Sequence, residues 1–209
     1  MTRSLTTIHR VPYFSQWESP ELVAEFVTGA RRAADDPLWP RSGAATASEY
    51  EFWARRLCAM ACLRMALQHW QGAAPPSVSL ANECVRAAAY VRHPDRVDGL
   101  IYAPFAAYAR QRWGLYAEPR PDLPAARIAS QVSAGRLLML SVHPCIRTLD
   151  PQPPSKGGHL VLAVGTTADT VVIHNPSGLP GASQEFAHIS WPDLGRFYAG
   201  RGIVLGEMP

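Results

Sequence analysis

Up to about residue 135 the apolar positions recur at helical spacing, and beyond it they recur at strand spacing. "VPYFSQ" (11–16) reads as a short extended segment. "SPELVAEFVTGARRAA" (19–34) reads as a helix, with Ser19 as N-cap and Pro20 at the first helical position. A Pro-, Gly- and Ser-rich loop covers 35–48. The pattern then predicts a helix over 48–72 ended by Gly72, and further helices over 79–91, 102–114 and 123–135. "RLLMLSV" (136–142), "HLVLAVG" (159–165), "TVVIHN" (170–175) and "QEFAHIS" (184–190) read as strands. A short helix over 191–200 and a strand over 202–206 close the pattern. Helices followed by consecutive, mainly antiparallel strands define an α+β class, with a cleft between two lobes as the expected site.

Within 58–70, a rotation of 100° per residue puts Met65, Cys58, His69, Cys62 and Ala66 on one stripe. Leu63, Trp70, Leu67 and Met60 extend the apolar arc, and Arg64 and Gln68 leave only a narrow polar stripe. A helix apolar nearly all round is a central, buried one. Cys62 then packs as a small core residue. Cys58 stands apart only if the helix starts there, because a helix N-terminus lowers a thiol pKa. Ser48 and Glu51 have the spacing of a capping box, which would start the helix earlier. A nucleophilic Cys58 therefore requires a break near Arg55–Leu57. His69 lies about 16 Å along the helix from Cys58 and is out of reach as its base.

Composition narrows the field. With 209 residues and 47% hydrophobic content, one domain with a real core is expected over residues 1–209. The net charge is a mild +3, and its arginines are scattered without blocks, so no nucleic-acid footprint is expected. No run has the length of a membrane span, and "MTRSLTTIHRVPYF" has no apolar core of a signal peptide. The four cysteines then read as reduced thiols of a cytoplasmic protein. Cys58, Cys62, His69 and His159 can be drawn as zinc ligands, but neither CxxC nor HExxH spacing is present, and no metal or cofactor is expected.

"GGHLVLAVGTTADTVVIHNPSG" (157–178) carries the chemistry. A hairpin centred near Thr167–Ala168 puts His159 directly or diagonally across from Asn175, on the same face, at about 5–8 Å. An Asn carbonyl there supplies the partner that holds an imidazole in one tautomer. Gly157 and Gly158 leave room for a substrate or backbone. His174 faces the other way and reads as structural, and His143 is a weaker alternative base.

"VPYFSQ", "LCAMACLRMAL" and "GGHLVLAVG…HNPSG" together resemble the papain-fold peptidases related to the bacteriocin-leader peptidases that cut after double glycine. The resemblance implies a papain-like fold, with a helical N-terminal lobe (58–135), an antiparallel β-sheet C-terminal lobe (136–209) and a cleft between them. By position Cys58 resembles the nucleophile, His159 the general base and Asn175, before Pro176, the orienting residue. Gln16 resembles the oxyanion-hole donor. The sequence departs from the family in Ala59, where a glycine is usual. It also departs in the forty-odd residues between Gln16 and Cys58, which mark 17–57 as an insertion. The implied activity is hydrolysis of a peptide or amide through a thioester intermediate. An amidase or acyltransferase of peptide or natural-product biosynthesis, and a non-catalytic peptide-binding module of the same fold, remain open alternatives.

Overall fold

In a computed structural model describing residues 6–208, one antiparallel sheet separates two helical layers. In chain order the elements are β1 (Thr7–Ile8), α1 (Val23–Thr28), α2 (Ala47–Ala54), α3 (Cys58–Gln71), α4 (Ser77–Arg86) and α5 (Tyr102–Trp113). β2 (Leu115–Arg120), α6 (Ala125–Ser133), β3 (Leu137–Val142), β4 (His159–Thr166) and β5 (Thr170–His174) follow. β6 (Ala187–Ser190), α7 (Trp191–Phe197) and β7 (Tyr198–Glu207) complete the described chain. The strand order is β2-β7-β3-β4-β5-β6, with β1 pairing on the far end of β4.

The strands are apolar on both faces because both faces are covered. Leu137 and Met139 join the core formed with α2 to α5, whereas Leu138 and Leu140 join the core under α6 and α7. Two strands escape the sequence pattern. β2 contains Pro119, which is tolerated because β2 is the sheet edge. β1 is only two residues long and fits against Gly165, where an added Cβ would lie 2.8 Å from the Thr7 carbonyl.

The segment before Cys58 departs from the expected long helix. Residues 19–34 form a 3-10 turn (Pro20–Leu22), then α1, which Gly29 ends in the left-handed region at φ 80°. Ser19 does not cap; its hydroxyl donates to Asp36 at 2.6 Å. Buried Asp36 also accepts from the backbone N–H groups of Ser19 and Leu38 and from the Tyr50 hydroxyl, knitting 17–57 into one packed unit. Trp17 stacks on Phe26 at 5.6 Å within that unit and is buried.

The predicted 48–72 helix is two helices. The N-cap of α2 is Thr46, which accepts the Glu49 N–H at 3.1 Å; Ser48 and Glu51 form no box, and Glu51 takes the Ala34 N–H instead. Residues Arg55–Leu57 break the path, and Cys58 is the first residue of α3. Arg64, expected on a polar stripe, is buried: it pairs with Glu18 at 3.1 Å, and its guanidinium covers the Phe14 ring. Glu18 and Phe14 are what enclose it.

Candidate active site

α3 starts against the beginning of β4. The Cys62 thiol donates to the Leu160 carbonyl at 3.8 Å, one turn behind Cys58. Cys58 itself opens onto a cleft of about 430 Å³ that His159, Ser141 and Tyr102 also line. Burial pushes the Cys58 thiol pKa up, while hydrogen bonding to backbone groups of Leu160, Ala59 and Cys58 itself pulls it back; burial wins. The thiol is therefore protonated at neutral pH. No direct Cys58–His159 hydrogen bond is formed, although both side chains face the same cleft.

His159 is buried to 6% exposure and holds two contacts through one nitrogen. Its Nε2 lies 2.9 Å from Asn175 Oδ1 and 3.1 Å from Ser177 Oγ. The Ser177 backbone N–H also points at the same Asn175 atom, at 3.1 Å. A backbone N–H can only donate, so that atom is the amide oxygen. His159 Nε2 must then carry the hydrogen, which leaves Nδ1 with a free lone pair. Burial, opposed by the bond to Asn175 and aided by the Arg147 charge, lowers the His159 pKa to about 4. The imidazole is neutral at pH 7, the form a general base needs.

The register explains the meeting. Leu162 faces His174 and Ala163 faces Ile173, so Asn175, just past β5, comes diagonally across from His159. Carrying that register on puts Ser177 directly opposite His159. The hairpin pattern contained that signal, yet Ser177 escaped the sequence reading. Arg147 also escaped it. It lies in a 3-10 turn (Pro144–Arg147) and donates to Ser177 Oγ at 2.9 Å, a tertiary contact with no local signature.

The segment 11–16 is fastened to the same loop. Gln16 N–H and the Ser15 hydroxyl both donate to the Pro176 carbonyl, and the Tyr13 hydroxyl donates to the Asn175 carbonyl. The Gln16 side chain is buried, and its Nε2 donates to the Ala54 carbonyl at 3.1 Å, at the end of α2. Its Oε1 has no partner among the described residues. His174 is structural: the Phe186 N–H donates to its Nδ1 and its Nε2 donates to the Val11 carbonyl. His143 Nδ1 accepts the Cys145 N–H, capping a turn. His69 Nδ1 pairs with the Arg10 carbonyl. Among the described residues there is no cluster of three or more potential metal ligands, and no helix is long and apolar enough to cross a membrane.

No protein-family model matches the chain. No curated protein matches it either. Two solved structures are similar. A Bacillus anthracis protein described as a C39-like peptidase matches over 98% of both chains, at 16% identity and a TM-score of 0.58. The peptidase domain of Streptococcus ComA, a bifunctional ABC transporter involved in a quorum-sensing pathway, matches over 74% of this chain and 93% of that one, at 14% identity and a TM-score of 0.47. The first likeness shows the fold: a papain-like α+β arrangement of the C39-like peptidase type. It is the fold that the three short motifs imply.

Proposed function

We propose that the protein is a cysteine peptidase-like hydrolase acting on a peptide or amide, with Cys58 as nucleophile, His159 as general base and Asn175 as orienting residue. One observation carries the reading. An imidazole with a determined tautomer, its Nδ1 lone pair free, shares a cleft with a cysteine at the first position of a fourteen-residue helix.

The resting pair is neutral: Cys58 thiol and His159 imidazole. As the substrate carbonyl approaches, Nδ1 takes the thiol proton and sulfur forms a bond to the carbonyl carbon. The carbonyl π electrons move to oxygen. In this scheme the Cys58 backbone N–H, at the uncapped start of α3, holds that oxyanion. Gln16 is the second oxyanion donor of this scheme, through the amide hydrogen that does not bond Ala54, although Gln16 does not itself line the cleft. Collapse of the tetrahedral intermediate breaks the C–N bond, and His159 returns its proton to the leaving amine. Water, deprotonated by Nδ1, then cleaves the thioester and regenerates the thiol. Ser177 and Arg147 touch no reacting atom in this scheme. They position the imidazole from behind. Residues 17–57 are read as an insertion that carries Gln16's support, the α2 carbonyl end, up to the break before Cys58.

The test is a peptide library incubated with the protein, read by mass spectrometry for new termini, alongside Cys58→Ala and His159→Ala. In parallel, iodoacetamide labelling compares Cys58 with Cys145, which is also partly exposed. New termini that both variants abolish, with Cys58 labelled first in a His159-dependent manner, are expected. Cleavage surviving Cys58→Ala, or a Cys58 no faster than Cys145 with no peptide cut, overturns the proposal.

A further inference from the structure

Three arginines outnumber the one carboxylate in the lining of the cleft. Arg55, Arg56 and Arg201 line it together with Cys58 and His159. None of the three has a carboxylate partner among the described residues. The one carboxylate in the lining, Asp98, is already engaged by His93 at 3.0 Å and Arg96 at 3.6 Å. Arg55 and Arg56 are held in place by carbonyl oxygens, of Phe26 and of Phe52 and Asp95, which fix their guanidinium groups without neutralising them. Arg201 is exposed and makes no hydrogen bond within the described structure. A Cβ on Gly157 would come 3.1 Å from its guanidinium. Gly157 has φ of 92° and stands two residues before His159, so the Arg201 guanidinium packs against the backbone that leads into the base.

Three fixed or poised cations around a concave wall focus a positive potential at its floor. Arginines on a convex face are screened, whereas these share the lining of one cleft. The substrate that such a wall favours has negative charge near the bond being broken.

We propose that the cleft selects peptides bearing a carboxylate next to the scissile bond, with Arg201 the principal anchor and Arg55 and Arg56 shaping the field. This rests on the hydrolase reading above. The carboxylate comes from an Asp or Glu side chain or from a free C-terminus.

The test compares the rates at which Cys58 is alkylated by iodoacetate, an anion, and by iodoacetamide, its neutral analogue, each normalised to N-acetylcysteine. Anion preference of roughly fivefold or more is expected at low ionic strength, falling toward one in concentrated salt because the effect is electrostatic. Arg201→Gln lowers the preference most, and Arg55→Gln lowers it less. A ratio near one at low salt overturns the inference while leaving the hydrolase reading intact. A Cys58 inert to both reagents counts against the hydrolase reading, and a second arm then decides the inference. In that arm, Cys58→Ala is titrated with fluorescent peptides: one with a Glu side chain and an amidated C-terminus, one with Gln and a free C-terminus, and one with Gln and an amide. Tighter, salt-sensitive binding of either carboxylate peptide supports the inference and identifies the source. Equal binding of all three overturns it.

Discussion

Asn175 Oδ1 lies 2.9 Å from His159 Nε2 and takes the Ser177 N–H at 3.1 Å, so the amide of one residue fixes the tautomer of the other. Replacing Asn175 with Ala removes that acceptor. A hydrogen bond of about 1–1.5 kcal/mol predicts roughly a tenfold loss in kcat/KM. Asn175→Asp keeps both acceptor contacts and adds a negative charge, which favours the imidazolium. The His159 pKa should rise from about 4, measured by NMR titration of the imidazole.

Arg147 acts on the same ring from a distance. Its charge opposes protonation of His159, and its own pKa is lowered by burial. Arg147→Gln should therefore raise the His159 pKa and move the acidic limb of any kcat/KM profile to higher pH. Ser177→Ala removes the hydroxyl through which Arg147 is held without removing the charge. The NMR titration separates the two: a shift in Arg147→Gln that is absent from Ser177→Ala identifies the charge as the cause.

Acid should destabilise the fold. The folded His159 has a pKa near 4 against an ordinary value of 6.5, so below 6.5 the unfolded chain binds the extra proton and the folded one does not. Stability is full above pH 6.5 and falls as pH drops from 6.5 toward 4. At about 1.4 kcal/mol per pKa unit, the loss is on the order of 3 kcal/mol from this residue. His174, buried and also lowered by burial, adds in the same direction. Urea midpoints at pH 7, 5.5 and 4.5 check this. His159→Gln should reduce the slope but not abolish it.

The Glu18–Arg64 pair is buried on both sides, with side chains 6% and 9% exposed, and Ser77 donates to the same Glu18 oxygen at 2.7 Å. Removing either partner leaves an uncompensated buried charge. Glu18→Gln and Arg64→Met should each cost about 3–5 kcal/mol, and the double variant should cost less than their sum. Denaturant unfolding of the four proteins gives the coupling.

Gln16→Ala separates support from catalysis. Loss of the bond to Ala54 should lower Tm by a few degrees, in line with about 1 kcal/mol. Loss of an oxyanion donor should lower kcat by roughly 100-fold with little change in KM. A Tm loss with kcat intact would remove Gln16 from the catalytic scheme.

Most elements were legible because each has a strong period. The β4–β5 hairpin announced both the strands and the meeting of His159 with Asn175, since pairing register is arithmetic along the chain. The break that isolates Cys58 was not legible. "ARRL" carries no Gly or Pro; what meets the chain there is tertiary, with the Gln16 side chain on the Ala54 carbonyl and the Arg55 side chain on the Phe26 carbonyl. Contact with Glu18 and Phe14 likewise hid Arg64, which looks solvated by helical period alone. β2 was hidden by Pro119, and β1 by its brevity. Arg147 reaches the site through a turn that no local pattern links to the hairpin.

The position of β7 in the sheet has a consequence for how the protein is made. β7 lies between β2 and β3 and pairs with both. Until residues 198–207 have left the ribosome, β2 has no strand to pair with and β3 has β4 alone. Cys58 is thus synthesised early, whereas the lining of its cleft is complete only when β7 brings Arg201 to it.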